Sequence, residues 1–64
     1  MVTIVLKSVR NQQGLSIREL ARKSGVSKSQ ISDIENGKSM PTIDTLWLLT
    51  KALGVSCENL YKCD

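Results

Sequence analysis

Apolar residues fall in five short groups along the chain, spaced mainly three or four apart rather than alternating. They are Val2, Leu6 and Val9; Leu15, Leu20 and Ala21; Val26, Ile31 and Ile34; Ile43, Leu46, Leu49 and Leu53; and Val55 with Leu60. Spacing near 3.6 places each group on one face of a helix. The residues between the groups punctuate them. Ser16 is followed three residues on by Glu19, and Ser27 by Gln30. Each pair predicts a capping box, in which serine oxygen and acidic or amide side chain satisfy each other's backbone N–H. These boxes open the runs IRELARKS and KSQISDIEN. Thr42, after Pro41, is positioned to cap IDTLWLLTKAL, and Ser56 to cap CENLYK. Gly25, Gly37 and Gly54 stand where helices end in a left-handed residue. A first helix over Thr3 to Gln13 has the spacing but no strong cap. Strand signals are few, with TIVL the one β-branched run. The pattern predicts a compact all-α domain of five helices with short connections.

Composition narrows this without changing it. The chain has 64 residues, 41% hydrophobic, enough for one small core and one domain over residues 1–64. No apolar run approaches the roughly 18 residues of a membrane span. The N-terminal MVTIVLK has neither a basic lead nor a cleavage site, so it is not read as a signal peptide, and the expected location is cytoplasmic. There is no histidine and no CxxC, so neither a metal site nor a cofactor is expected. Cys57 and Cys63, placed on one predicted helix, would lie about 9 Å apart and could not bridge within the chain. They read as incidental thiols, with an intermolecular bridge the alternative. Net charge is +3, unevenly spread. Residues 1–40 hold seven basic and three acidic side chains, whereas residues 41–64 hold two and three. One side of the molecule is thus expected to face a polyanion.

The segment IRELARKSGVSKSQISDIEN, Ile17 to Asn36, gives that side a shape. Ala21 is small enough for a second helix to cross it closely. Gly25 permits a sharp turn, and Val26, Ile31 and Ile34 seal the corner. Two helices joined so form a helix-turn-helix, here over 17–36, with a recognition helix at about 28–36. The longer run LSIRELARKSGVSKSQISDIENGKSMPTIDTLWLLTKALGVS resembles the lambda-repressor/Cro-type, or xenobiotic-response-element, family. The resemblance covers about residues 6 to 60. It implies a five-helix DNA-binding transcriptional regulator, usually a dimer on a palindromic operator, and here a repressor. It also implies a partly buried ion pair between Arg10 and Glu35.

With Ile31 and Ile34 turned inward, a rotation of about 100° per residue puts Lys28, Ser29, Ser32, Asp33 and Asn36 on the opposite face. The resemblance carries base contacts to Lys28, Ser29 and Asp33, with Ser32 beside them. Lys28 suits guanine O6 and N7, and a carboxylate at Asp33 suits cytosine N4 or the restraint of Ser29. Ser16, Ser27, Asn36 and Lys38, with loop amides near Ser39 and Met40, fit contacts to phosphate. Ser16 and Ser27 are needed as caps in any case. Arg18, Arg22 and Lys23 read as a solvated face that adds long-range attraction. The chain departs from the family at Ile17, where a glutamine that touches phosphate is common. Trp47 and Leu48, with Ile4 and Val5, lie off the predicted core and suggest a homodimer or partner surface. No nucleophile–base set or acid pair is present, so no enzyme is expected. The alternatives are an antitoxin or regulatory interaction module, and a DNA-binding fragment of a longer phage-type repressor.

Overall fold

The capped runs in the middle of the chain form helices at the expected places. In the computed structural model, which describes residues 1–63, they are α2 (Ile17–Ser24), α3 (Lys28–Glu35) and α4 (Ile43–Leu53). Before them come strand β1 (Val2–Ile4) and helix α1 (Leu6–Gln12). After them come a single 3-10 turn (Cys57–Leu60) and strand β2 (Tyr61–Cys63). Asp64, counted in the charge balance above, lies outside the described residues.

The all-α expectation of five helices is therefore corrected, among the described residues, to four α-helices and a two-stranded antiparallel ribbon. Thr3 and Ile4 are not the start of α1. They pair with Lys62 and Tyr61, and Val2 pairs with Cys63. The Val5 amide extends this contact by donating to the Leu60 carbonyl at 2.9 Å. Val2, Thr3 and Ile4 are β-branched and stiff at χ1, which suits a pleated strand better than an uncapped helix end. At the other end, CENLYK makes one 3-10 turn and then straightens. Ser56 provides no side-chain cap there; its carbonyl accepts from the Asn59 amide instead. Cys57 and Cys63 consequently lie on different elements, both exposed and both free.

Leu6, Leu20, Val26, Ile31, Ile34, Leu49, Leu53 and Leu60 form the buried core, with Val9, Leu15, Ile17, Ala21, Leu46 and Val55 packed around it. Ile43, assigned to the core from spacing, is 86% exposed. It opens α4 about 120° around the axis from Leu49, so its side chain projects past the core. Trp47 and Leu48 do turn outward, whereas Ile4 and Val5 are half-buried.

Two long-range ties hold α1 in place. Arg10 is buried and forms a fork onto Glu35 of α3, with Nε to Oε2 at 2.7 Å and Nη2 to Oε1 at 3.0 Å. Its remaining Nη1 donates to the Leu15 carbonyl at 2.8 Å. The bond to Glu35 raises the Arg10 pKa above its ordinary value, against the opposing effect of burial. Gln13 reaches across to α4 and donates its amide to the Leu53 carbonyl at 2.7 Å. This satisfies one of the orphan acceptors at the end of α4.

Candidate nucleic-acid interface

The turn between α2 and α3 sets how the second helix is presented. Gly25 ends α2 at φ +78°, a conformation open to glycine, and its amide returns to the Ala21 carbonyl at 2.9 Å. Ser24 is buried and its hydroxyl accepts from the Val26 amide at 3.1 Å, closing the corner. Both predicted capping boxes form. The Glu19 amide donates to the Ser16 hydroxyl at 3.1 Å, and the Ser16 amide to Glu19 Oε1 at 3.0 Å. The equivalent pair at Ser27 and Gln30 measures 3.1 and 3.4 Å. The Ser27 hydroxyl also donates to Gln30 Oε1. Ser16 and Ser27 are thus fully accounted for as caps.

Around α3, the buried side holds Ile31, Ile34 and the half-buried Glu35 on its fork from Arg10. The opposite side presents Ser29, Asp33 and Asn36, all exposed, with Ser32 half-exposed beside them. Lys28 is exposed too but, seven residues before Glu35, stands at the flank of this row rather than opposite the core, which corrects its expected phase. From Lys28 to Asn36 this row runs about 12 Å along the axis, comparable to the width of a major groove. Asn36 donates its side-chain amide to the Ser32 hydroxyl at 3.3 Å, which ties the end of the row to its middle. Among the described residues the side chains of Lys28, Ser29 and Asp33 have no hydrogen-bond or ion-pair partner. The suggested restraint of Ser29 by Asp33 is not among the bonds formed.

The loop after α3 differs from expectation in one respect. Gly37, at φ +74°, donates its amide to Ile34, and the Lys38 amide donates to the Asp33 carbonyl at 2.8 Å. That pair is a Schellman closure of the helix. The Ser39 amide also points to the Asp33 carbonyl, at 3.4 Å. The backbone N–H groups of Lys38 and Ser39 are therefore turned back into the helix end rather than outward to phosphate. The Lys38 side chain remains exposed. Asp33 thus serves twice, with its carbonyl fixing the loop and its carboxylate left outside. A sequence pattern cannot report that backbone role.

Ile17 begins α2 half-buried and packs against the core, so part of its apolar contact is internal. Arg10 is committed to Glu35 and Leu15 and is not available to a ligand. The cationic groups nearest in sequence to the α3 row that form no ion pair among the described residues are Arg18, Arg22 and Lys23 on α2, with Lys28 and Lys38 themselves. Among the described residues no cluster of metal-ligating side chains exists, and no helix is long and apolar enough to cross a membrane.

Two helices crossing at a glycine turn, with the second one's polar face outward, define a helix-turn-helix unit. The helix-turn-helix family HTH_3 matches residues 6–60, and the chain belongs to this family. Among similar proteins is the HTH-type transcriptional regulator SutR of Escherichia coli (strain K12). It is 41% identical over 54 residues, which are 84% of this chain and 30% of SutR. A solved HTH_3 family transcriptional regulator from Vibrio cholerae superposes with a TM-score of 0.79 at 44% identity. That match covers 81% of this chain and 29% of the other. The restriction-modification controller protein C.Esp1396I, solved as a tetramer with its natural 35 base-pair operator, gives a TM-score of 0.76 at 38% identity. There the cover is 81% of this chain and 68% of the controller. The chain spans 30–40% of the length of the first curated relatives that it matches.

Proposed function

We propose that residues 1–64 are the DNA-binding domain of a sequence-specific transcriptional regulator, a repressor working in the cytoplasm as a homodimer on a palindromic operator. The observation that carries this is the division of α3. One side is locked by Ile31, Ile34 and the Arg10–Glu35 fork, and the exposed remainder offers Ser29 and Asp33, with Lys28 at its flank, without internal partners. Side chains held at a fixed phase yet left unbonded are what base reading requires. Lys28 donates to guanine, Ser29 and Ser32 meet base edges, and Asp33 accepts from cytosine N4. Asn36 and Lys38, with the helix starts at Ser16 and Ser27, set the position on the phosphates. The named relatives support the regulator reading, as does the operator complex of the controller protein. No group in this row is a nucleophile with a base beside it, so the domain does not act as an enzyme.

Selection of bound sequences from random DNA, at two salt concentrations, tests the proposal. The expected product is one two-fold-related sequence, with half-sites separated by about one helical turn, roughly 34 Å. Binding that is blind to sequence and collapses with salt would refute it.

A further inference from the structure

The second copy in that proposal has no assigned contact surface, and helix α4 supplies one. Its inner side is buried through Leu49, Thr50 and Leu53. Its outer side carries Trp47, 54% exposed, and Leu48, 37% exposed, at the middle of the helix. Large apolar groups left outside together mark an interaction surface more often than a solvated one. Two charges bracket them on the same side. Asp44 lies in the first turn and Lys51 in the last. Neither belongs to an ion pair among the described residues; Lys51 instead rests its ammonium 4.6 Å from the centre of the Trp47 ring.

This arrangement is complementary to itself. Asp44 and Lys51 are equidistant from the point between Trp47 and Leu48, each about 5 Å away along the axis. A two-fold axis at that point turns the helix antiparallel to its copy and sets Asp44 opposite Lys51 of the second copy. The same rotation sets Lys51 opposite the second copy's Asp44. Trp47 and Leu48 of both copies then meet at the centre, between the two ion pairs. A two-fold contact demands that one patch complement itself, and an apolar centre with opposite charges at equal distances meets that demand. A parallel pairing would instead stack acid on acid and base on base.

We infer that the outer side of α4 is the homodimer contact, formed antiparallel about an axis between Trp47 and Leu48 and closed by reciprocal Asp44–Lys51 pairs. The inference rests on the dimer part of the proposed function and not on which bases α3 reads. An ordinary interface takes about 800 Å² from each partner, and one pair of helices supplies less, so a dimer that dissociates on dilution is expected.

Sedimentation equilibrium on the wild type, on Asp44→Lys, on Lys51→Asp and on the double reversal tests the contact. Each single reversal places two like-charge pairs in the interface and is expected to weaken the dimer by about tenfold or more. The double reversal restores both pairs in exchanged form and should return to within about threefold of wild type. Melting curves for each variant separate loss of the dimer from loss of the fold. The native chain supplies a second measurement, because Trp47 is its one tryptophan. Its half-exposed ring should shift to shorter-wavelength emission as concentration carries the protein through the dimer transition. A wild-type dimer that neither reversal weakens would give this side of α4 to another partner and overturn the inference, while the dimer itself stood. A wild type that stays monomeric at millimolar concentration would overturn both, leaving the α3 reading to its own DNA test.

Discussion

On its inner side α3 holds Ile31, Ile34 and Glu35, each packed or bonded to a residue distant in the chain. Away from that side it exposes Lys28, Ser29 and Asp33, whose side chains bond to nothing within the described chain. The same eight-residue helix therefore serves two purposes, with Ser29 and Asp33 roughly half a turn from the two isoleucines and Lys28 at the flank. The inner side fixes rotation and depth, so that the outer side needs no internal bonds to stay aimed. The sharpest way to break this division is at Glu35. Its carboxylate and the Arg10 guanidinium are nearly closed to solvent, at 4% and 9% exposure. Glu35→Ala strands a buried cation, which costs about 3–5 kcal/mol. A domain of this size has roughly 0.05–0.15 kcal/mol per residue in hand, so most of its stability goes. Thermal melting should show a midpoint lowered by about 12–40 °C, and joint replacement with Arg10→Met and Glu35→Leu should recover it. If Glu35→Ala melted like the wild type, the inner side would not be what fixes α3.

The outer side predicts the reverse profile. Lys28→Ala and Asp33→Ala should leave the melting curve in place, since neither side chain has an internal partner. Lys28→Ala is expected to cost about 1–3 kcal/mol of operator binding and to relax choice at one base pair. If Lys28 met phosphate instead, the loss would be uniform over sequences and the salt slope would fall by about one. Asp33→Ala should change less in affinity and more in choice. Removing a carboxylate from a polyanion-facing row leaves or raises non-specific binding while admitting more operator variants. Binding assays on a panel of single-base operator variants separate these outcomes. An Asp33→Ala protein with equal losses on all of them would show that the side chain serves the fold.

How far this division was legible in the sequence depends on the reach of each interaction. The phase of α3 follows from Ile31 and Ile34, three residues apart, and the helix starts follow from serine and its partner three residues on. Those are local signals, and they placed α2, α3 and α4. The ribbon is not local, because Val2 pairs with Cys63 across nearly the whole chain. Thr3 and Ile4 did carry β-branched character, but Tyr61–Cys63 has no alternating pattern to answer it. Arg10 and Glu35 lie 25 residues apart, and only the family resemblance joined them. Ile43 was misplaced because helical phase says which way a side chain points, not whether a core lies there. The Asp33 carbonyl, which turns the Lys38 amide inward, belongs to the backbone and leaves no trace in side-chain pattern.

The smallest effect falls at the helix starts, where the two capping boxes differ by one atom type. The α2 box uses Glu19 and the α3 box uses Gln30. The Ser16 backbone amide, and after it the Ser16 hydroxyl, hold the Glu19 carboxyl below its usual range, with the charges of Arg22 and Lys23 adding a little. A carboxyl lowered in the folded state binds its proton less tightly than in the unfolded chain. Its contribution is therefore complete above the unfolded pKa and is lost as pH falls through the folded one. The α2 start should loosen in acid while the α3 start, with nothing to titrate, stays closed. Amide chemical shifts of Ser16 and Glu19 should move over that acidic range, and those of Ser27 and Gln30 should not. Glu19→Gln keeps an acceptor at the same position and should make the first box as indifferent to pH as the second. If both boxes moved together in the wild type, the acid response would belong to the whole domain rather than to the start of α2.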